Sequence, residues 1–272
     1  MTARPFEREA RTAPWSLRLA LLPIPLLIVA VVMHRYGQID TVPLFLLIAI
    51  AWALALAALV LGGLAMRRIW IDGVRGFAPA LTGSLLAIAI LAVPGLVVEE
   101  MIRLPRLADI STDLNDPPEL APSAQAAHPS PDVVSNDEQA KAYPDILSRH
   151  YPVSPARVYD AATALMTARG WTIGKAVPPD IESADASIEA VARTLVLALP
   201  ADVALRIVAD DDGSLVDMRS ASRIGSHDLG DNARRIRAFF GDLDTALQGV
   251  TEPVEGDETD MPPLPPVSPR AR

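Results

Sequence analysis

The sequence predicts three membrane-spanning α-helices followed by an α+β extracytoplasmic domain, an antiparallel four-stranded sheet with two helices on one face. Three observations predict it. The stretch Val42–Met66 has no charged residue and is rich in Leu, Ala and Ile. Residues 143–250 carry, in order, one helical pattern, four strand patterns and a second helical pattern. Charge divides the same way: residues 1–98 hold eight Arg against four Asp and Glu, while the rest hold sixteen basic against twenty-nine acidic residues.

As a helix, Val42–Met66 reaches roughly 37 Å, against about 30 Å for the hydrocarbon core of a bilayer, so it crosses with some tilt. Before it, Leu17–Met33 is a shorter apolar run broken by Pro23 and Pro25. Trp15 suits the interface and Arg18 can snorkel to the headgroups, which makes this run the first span. It ends in Met33-His34-Arg35 without a small-residue cleavage site, so an anchor is expected rather than a cleaved signal peptide. Gly76–Val98 is the third uncharged run, and its Gly83, Ser84, Pro94 and Gly95 are residues that closely packed membrane helices tolerate. No ionisable residue lies deep in the spans, which argues against a transporter or proton relay.

Three spans put the two termini on opposite sides. Arg4, Arg8, Arg11, Arg18, Arg67, Arg68 and Arg75 fall on one side, and Arg35, Arg103 and Arg106 on the other. By the positive-inside rule the N-terminus is cytoplasmic, and residues from 99 onward are periplasmic, in a bacterial inner (cytoplasmic) membrane. Residues 99–142, rich in Pro, Asp, Ser and Ala, read as a tether, with Ala121–Pro131 poorly ordered and the ISTD and DPP pieces patterned enough to dock. The acidic, Pro-rich residues 251–272 read as a disordered tail. There is no cysteine, which excludes disulfides, iron-sulfur sites and a thiol nucleophile.

In residues 143–250, Ser154-Pro155 gives an N-cap with Pro at the first helical position. Val158, Ala161, Ala162, Leu165 and Met166 form the apolar stripe up to Gly170. Strands are expected at Trp171–Lys175, Ser187–Leu199, Asp202–Ala209 and Ser214–Ser222. If Asp210–Gly213 is a turn, Val203, Leu205 and Ile207 face Ser220, Met218 and Val216, and Arg206 faces Asp217 on the other side. Hydrophobicity and charge then support one register. Asp228 is expected to open the second helix, whose stripe is Leu229, Ile236, Phe240, Leu243 and Leu247.

Across residues 107–248 the pieces ADISTDLNDPP, YPDI, ARGW, IEAVART and DMRSASRIGSHDLGDNARRIRAF resemble a bacterial and plastid family, the domain of unknown function (DUF) 1499. The most specific part is Arg219–Arg223 with Gly225, Asp228-Leu229-Gly230 and Asn232. Where that family often has an aromatic residue after the DPP piece, this chain has Glu119-Leu120. The resemblance implies no activity and no cofactor.

Candidate chemistry is sparse. His34, His128, His150 and His227 are scattered without metal-ligand spacing and read as exposed polar side chains, so no metal or cofactor site is predicted. Asp210-Asp211-Asp212-Gly213 lacks the alternating ligands of a calcium loop. Ser220, Ser222 and Ser226 lie near His227 and Asp228 in sequence, which does not make a triad, and there is no G-x-S-x-G elbow. What remains is a strand-to-helix corner. Arg219, Arg223, Asp228 and Asn232 are candidates for binding an anion or a partner, against the simpler reading of Asp228 as an N-cap within an ion-pair network. Two functions follow: a non-enzymatic envelope protein whose acidic module binds an envelope protein or a small anionic ligand, or a membrane-anchored hydrolase. The second needs Arg219, Arg223, His227 and Asp228 to converge on one cleft. Besides the lipid bilayer, nucleic acid is not a predicted partner, since the acidic module lacks the cationic surface that phosphate backbones require.

Overall fold

The computed structural model describes residues 9–121, 133–180 and 184–248. The expected disordered stretch Ala121–Pro131, apart from Ala121, and the expected tail 251–272 lie outside the described residues.

Three long apolar helical stretches come first. Thr12–Arg35 is divided at Leu22 into α1 (Thr12–Leu21) and α2 (Pro23–Arg35), with Pro23 and Pro25 in the first turn of α2. Then come α3 (Thr41–Asp72) and α4 (Phe77–Arg103), and each of the three stretches is long and apolar enough to cross a membrane. Small residues let the helices meet closely. A Cβ on Gly83 would lie 2.5 Å from Ser16 Oγ and 2.7 Å from the backbone nitrogen of Leu17, so no side chain fits there. Ser16, fully buried, donates to the Ala58 carbonyl at 2.8 Å. At one end of the bundle Ala10 N donates to Arg75 O, bringing the N-terminal segment to the α3–α4 turn. The α2–α3 turn and the α+β domain occupy the other end.

The α+β region contains a six-stranded antiparallel sheet, not the four strands that periodicity suggests. Its strands are β1 (Asp109–Ser111), β2 (Arg149–Tyr151), β3 (Thr172–Val177), β4 (Ala186–Arg193), β5 (Pro200–Asp210) and β6 (Gly213–Ser222). The order is β1-β6-β5-β4-β3, and β2 shares the outer edge of β6 with β1. The extra strands are three residues each, too short to show alternation. β1 lies inside the stretch read as a tether.

The β5–β6 hairpin has the register expected from sequence: Val203, Leu205 and Ile207 face Ser220, Met218 and Val216, and Arg206 faces Asp217. Strand β4 ends at Arg193, six residues before the expected Leu199. The apolar run that follows is a loop whose Leu197 and Leu199 pack on the helical bundle, so its hydrophobicity serves packing and not a strand.

Three helices accompany the sheet: α5 (Val133–Ala142), α6 (Pro155–Ala168) and α7 (Asp231–Leu247). As expected, α6 has Pro155 at its first turn and buries Val158, Ala162 and Met166, and Gly170 follows with φ 70°. The α6 and α7 stripes pack on one sheet face, with Ile188, Val203, Leu205, Ile207, Val216 and Met218 below Ile236, Phe239, Phe240 and Leu243. Trp171 stacks on Phe239 with centroids 5.5 Å apart. Phe239 is fully buried, whereas Leu229, expected in the stripe, lies in the turn before α7 with φ 55°. The helix begins at Asp231, three residues after the expected Asp228, because Gly230 takes a left-handed conformation.

Candidate functional site

The alternation of β6 sends Val216, Met218 and Ser220 to the helix-covered face and Asp217, Arg219 and Ala221 to the outer face. The four candidate residues therefore divide. Arg219 and Arg223 serve the outer face, and Asp228 and Asn232 serve the corner leading into α7.

Arg219 is almost fully buried. Its Nε and Nη2 donate to the Asp109 carboxylate at 3.0 and 2.6 Å, and Nη1 donates to the Pro118 carbonyl at 3.2 Å. This two-pronged geometry matches a guanidinium to a carboxylate. Arg223 remains partly exposed and donates through Nε and Nη2 to Asp202 at 2.9 and 2.6 Å, a pairing that holds its guanidinium above the ordinary arginine range. Neither arginine turns toward the α7 N-terminus.

A third arginine strengthens the outer face. Arg206 donates to Asp116 at 2.6 Å, to Asp217 at 3.0 Å and to Asp113 at 3.1 Å. Asp217, nearly inaccessible, also accepts from Thr112 at 3.2 Å and from Ser148. Burial raises the Asp113 carboxyl, but the backbone N–H groups of Asp116 and Asn115, together with Arg206, outweigh it and hold it below the ordinary range. Its stabilisation is present above the unfolded value and is lost as pH falls through the lowered one. Residues 109–121 are thereby strapped across the sheet, with Leu120 packed on Ala204 and Ala221. Gln139 of α5 closes the far edge of β1, accepting from Ser111 N at 3.1 Å and donating to Ser111 O at 2.6 Å.

At the corner, Asp228 accepts from Gly230 N and Asn232 N, both at 2.8 Å. It caps the start of α7 from two residues ahead of the N-cap position. Burial pushes its carboxyl upward by more than these amides pull it down, so the folded domain retains a proton that the unfolded chain releases. Its ionisation therefore costs stability as pH rises through the raised value. Asn232 is fully buried. It accepts from Ser220 at 2.9 Å and from Arg235 at 2.5 Å, and its amide donates to Ala108 O at 2.8 Å and to Ser222 at 3.0 Å. Asp228 N donates to Leu107 O at 3.1 Å, which ties the corner to the segment below α4.

Two further groups border this corner, Tyr143, which is not among the candidates, and His227, which enters only the hydrolase reading. Tyr143 Oη is buried without a hydrogen-bond partner among the described residues, and so is His227 Nε2, whose ring accepts from Leu229 N through Nδ1 at 3.0 Å. The YPDI piece marked Tyr143 as patterned, but only the fold brings it beside Gly230. His34, expected to be exposed, is buried, because its ring bridges Thr41 and the β4–β5 loop. The described residues contain no cluster of three or more metal-ligating side chains.

Cavities follow the same division. The one bordered by Asp109, Asn136, Gln139 and Arg219 has a volume of about 10 Å³, room for no more than a water molecule. An open groove of about 460 Å³ lies between α6 and the end of α7, lined by Arg157, Asp160, Ala161, Leu165, Ala246 and Leu247, and includes none of the four candidates.

Fold and site together define an α+β domain joined to a bundle of three long apolar helices, its charged residues arranged as clamps. Residues 109–243 match the family described as Protein of unknown function (DUF1499), so the chain carries a DUF1499 domain that begins at β1 and ends within α7. No curated protein matches the chain.

The clamp and the cap differ in expected cost. Arg219→Ala leaves the partly buried Asp109 unpaired and the Pro118 carbonyl without its donor, and should destabilise the domain by about 2–3 kcal/mol. Asp228→Ala should cost about 1 kcal/mol. Urea unfolding of residues 104–248 measures both. Equal small losses would mean that Arg219 is not the clamp described.

Proposed function

We propose that this is a non-catalytic membrane protein that presents an acidic, partner-binding domain on the periplasmic side of a bacterial inner membrane. The observation that carries the non-catalytic reading is the division of Arg219, Arg223, His227 and Asp228. A hydrolase would need them on one cleft, and instead the two arginines are neutralised on the outer face while His227 and Asp228 flank the helix corner. The orientation rests on the seven-to-three distribution of Arg. The meeting of the N-terminal segment with the α3–α4 turn, away from the domain, supports the grouping used in that count. The acidic surface, including the Asp210–Asp212 turn, suits a basic face of an envelope protein.

A second reading, a small anionic ligand at the corner, is favoured by one observation. Tyr143 Oη and His227 Nε2 have no hydrogen-bond partner among the described residues, and Arg234 lies beside Gly230 with its Nη1 donating to Leu229 O at 3.0 Å. Of the original four residues, Asp228 and Asn232 would then hold the corner's shape, while Arg219 and Arg223, paired on the outer face, take no part.

Each reading has its measurement. A reporter active only outside the cytoplasm should be active when fused after Gly249 and silent when fused after Arg68, and the reverse pattern refutes the orientation. For the anion, inorganic phosphate should raise the melting temperature of the domain, and Tyr143→Phe should remove that rise without lowering the melting temperature in buffer. Absence of any rise in the wild type removes the anion reading and leaves partner binding.

A further inference from the structure

The β4–β5 connection, Thr194–Leu199, is the loop by which the α+β domain reaches the α2–α3 hairpin. It is tightly closed: Thr194 N donates to Leu199 O and Leu199 N to Thr194 Oγ1, both at 2.9 Å, and Ala198 takes a left-handed φ of 55°. Both helix ends grip it. His34 Nδ1 lies 2.8 Å from the Leu197 carbonyl, which can only accept, so Nδ1 carries the proton and Nε2 faces the Thr41 hydroxyl at 3.2 Å. Arg35 donates to the Leu195 carbonyl at 2.7 Å.

The depth of this contact is informative. Leu197 and Leu199 pack against buried Ala30, Leu44 and Ile48. Ala30 lies five residues before Arg35, about 7.5 Å along the helix toward the middle of the span, and Ile48 lies about 10 Å in from Thr41. The loop therefore lies alongside the ends of the two helices, its backbone held at the level of His34 and Arg35 and its Leu197 and Leu199 turned onto the bundle. On this same loop Leu195 is 86% exposed and Val196 66%, while the helices beside it carry exposed Val32, Met33 and Val42. Two adjacent large apolar side chains facing water would be unfavourable. Beside the ends of two spans, a lipid leaflet is the medium that suits them.

We propose that Leu195 and Val196 insert into the bilayer leaflet in which α2 ends and α3 begins, with the Arg35 guanidinium at the level of the phospholipid phosphates. The partner is phospholipid: acyl chains for the two side chains, headgroups for Arg35. The domain then meets the membrane at a point separate from α4. This rests on reading the three apolar helices as spans.

The absence of cysteine allows a direct test in the full-length chain. Single variants Leu195→Cys, Val196→Cys, Leu56→Cys in the middle of α3 and Asp211→Cys in the β5–β6 turn are labelled with an environment-sensitive fluorophore. They are reconstituted in vesicles of phosphatidylethanolamine and phosphatidylglycerol containing lipids spin-labelled near the headgroup or deep in the chain. Labels at 195 and 196 should be quenched by the shallow spin label and protected from a water-soluble quencher about fivefold relative to 211, while the label at 56 responds to the deep one. If 56 is quenched by lipid but 195 and 196 behave like 211, the insertion is wrong and the spans stand. Protection at 195 and 196 without lipid quenching means that protein, such as a second copy, covers the tip, which also overturns the proposal. If 56 is not quenched by lipid, the span reading fails and the proposal fails with it.

Discussion

The bond on which the architecture depends is the ion pair between Asp109 and Arg219. It joins the segment just below α4 to β6, across 110 residues of sequence, with Arg219 buried and Asp109 partly buried. A buried pair of this kind is weak evidence for net stability, since removing two charges from water costs about as much as their attraction returns. Its contribution is to register. With Asp109 fixed opposite Ala221, Ile110 enters the core, Thr112 reaches Asp217, and Asp113 and Asp116 meet Arg206.

The domain is held close to the helical bundle. Only residues 104–108 separate the end of α4 from β1, so the link spans less than about 18 Å even when fully extended. Leu107 within it is buried and accepts from Asp228, and Leu104 lies against Gly230. The β4–β5 loop adds a contact with the α2–α3 hairpin.

Much of this was legible in the sequence, and the parts that were not share a cause. The three long apolar helices are uncharged runs, and the β5–β6 register follows from two independent alternations, apolar on one face and Arg206 with Asp217 on the other. Both are local patterns. Strands β1 and β2 are three residues each and are defined by their partner β6, so the ISTD piece showed that β1 would dock but not that it would join the sheet, and nothing in the composition of β2 marks it. Arg219 and Arg223 stood out as a charged corner, but their carboxylates, Asp109 and Asp202, are far away or in another strand. The run Leu195–Leu199 reads as a strand because its apolar character matches one, while its actual use is against Ala30, Leu44 and Ile48 of the bundle. His34 is buried for the same reason.

Residues 104–121, at the start of the stretch read as a tether, are part of the folded domain. This is tested by comparing two soluble fragments, residues 104–248 and 143–248, in thermal and urea unfolding. The shorter one loses the buried side chains of Leu107, Ile110 and Leu120, each contributing about 1.5–3 kcal/mol, a sum comparable to the whole stability of a domain, and it leaves Arg219 without Asp109. The account predicts cooperative unfolding for 104–248 and no cooperative transition, or one at far lower urea, for 143–248. Equal midpoints for the two fragments would contradict it.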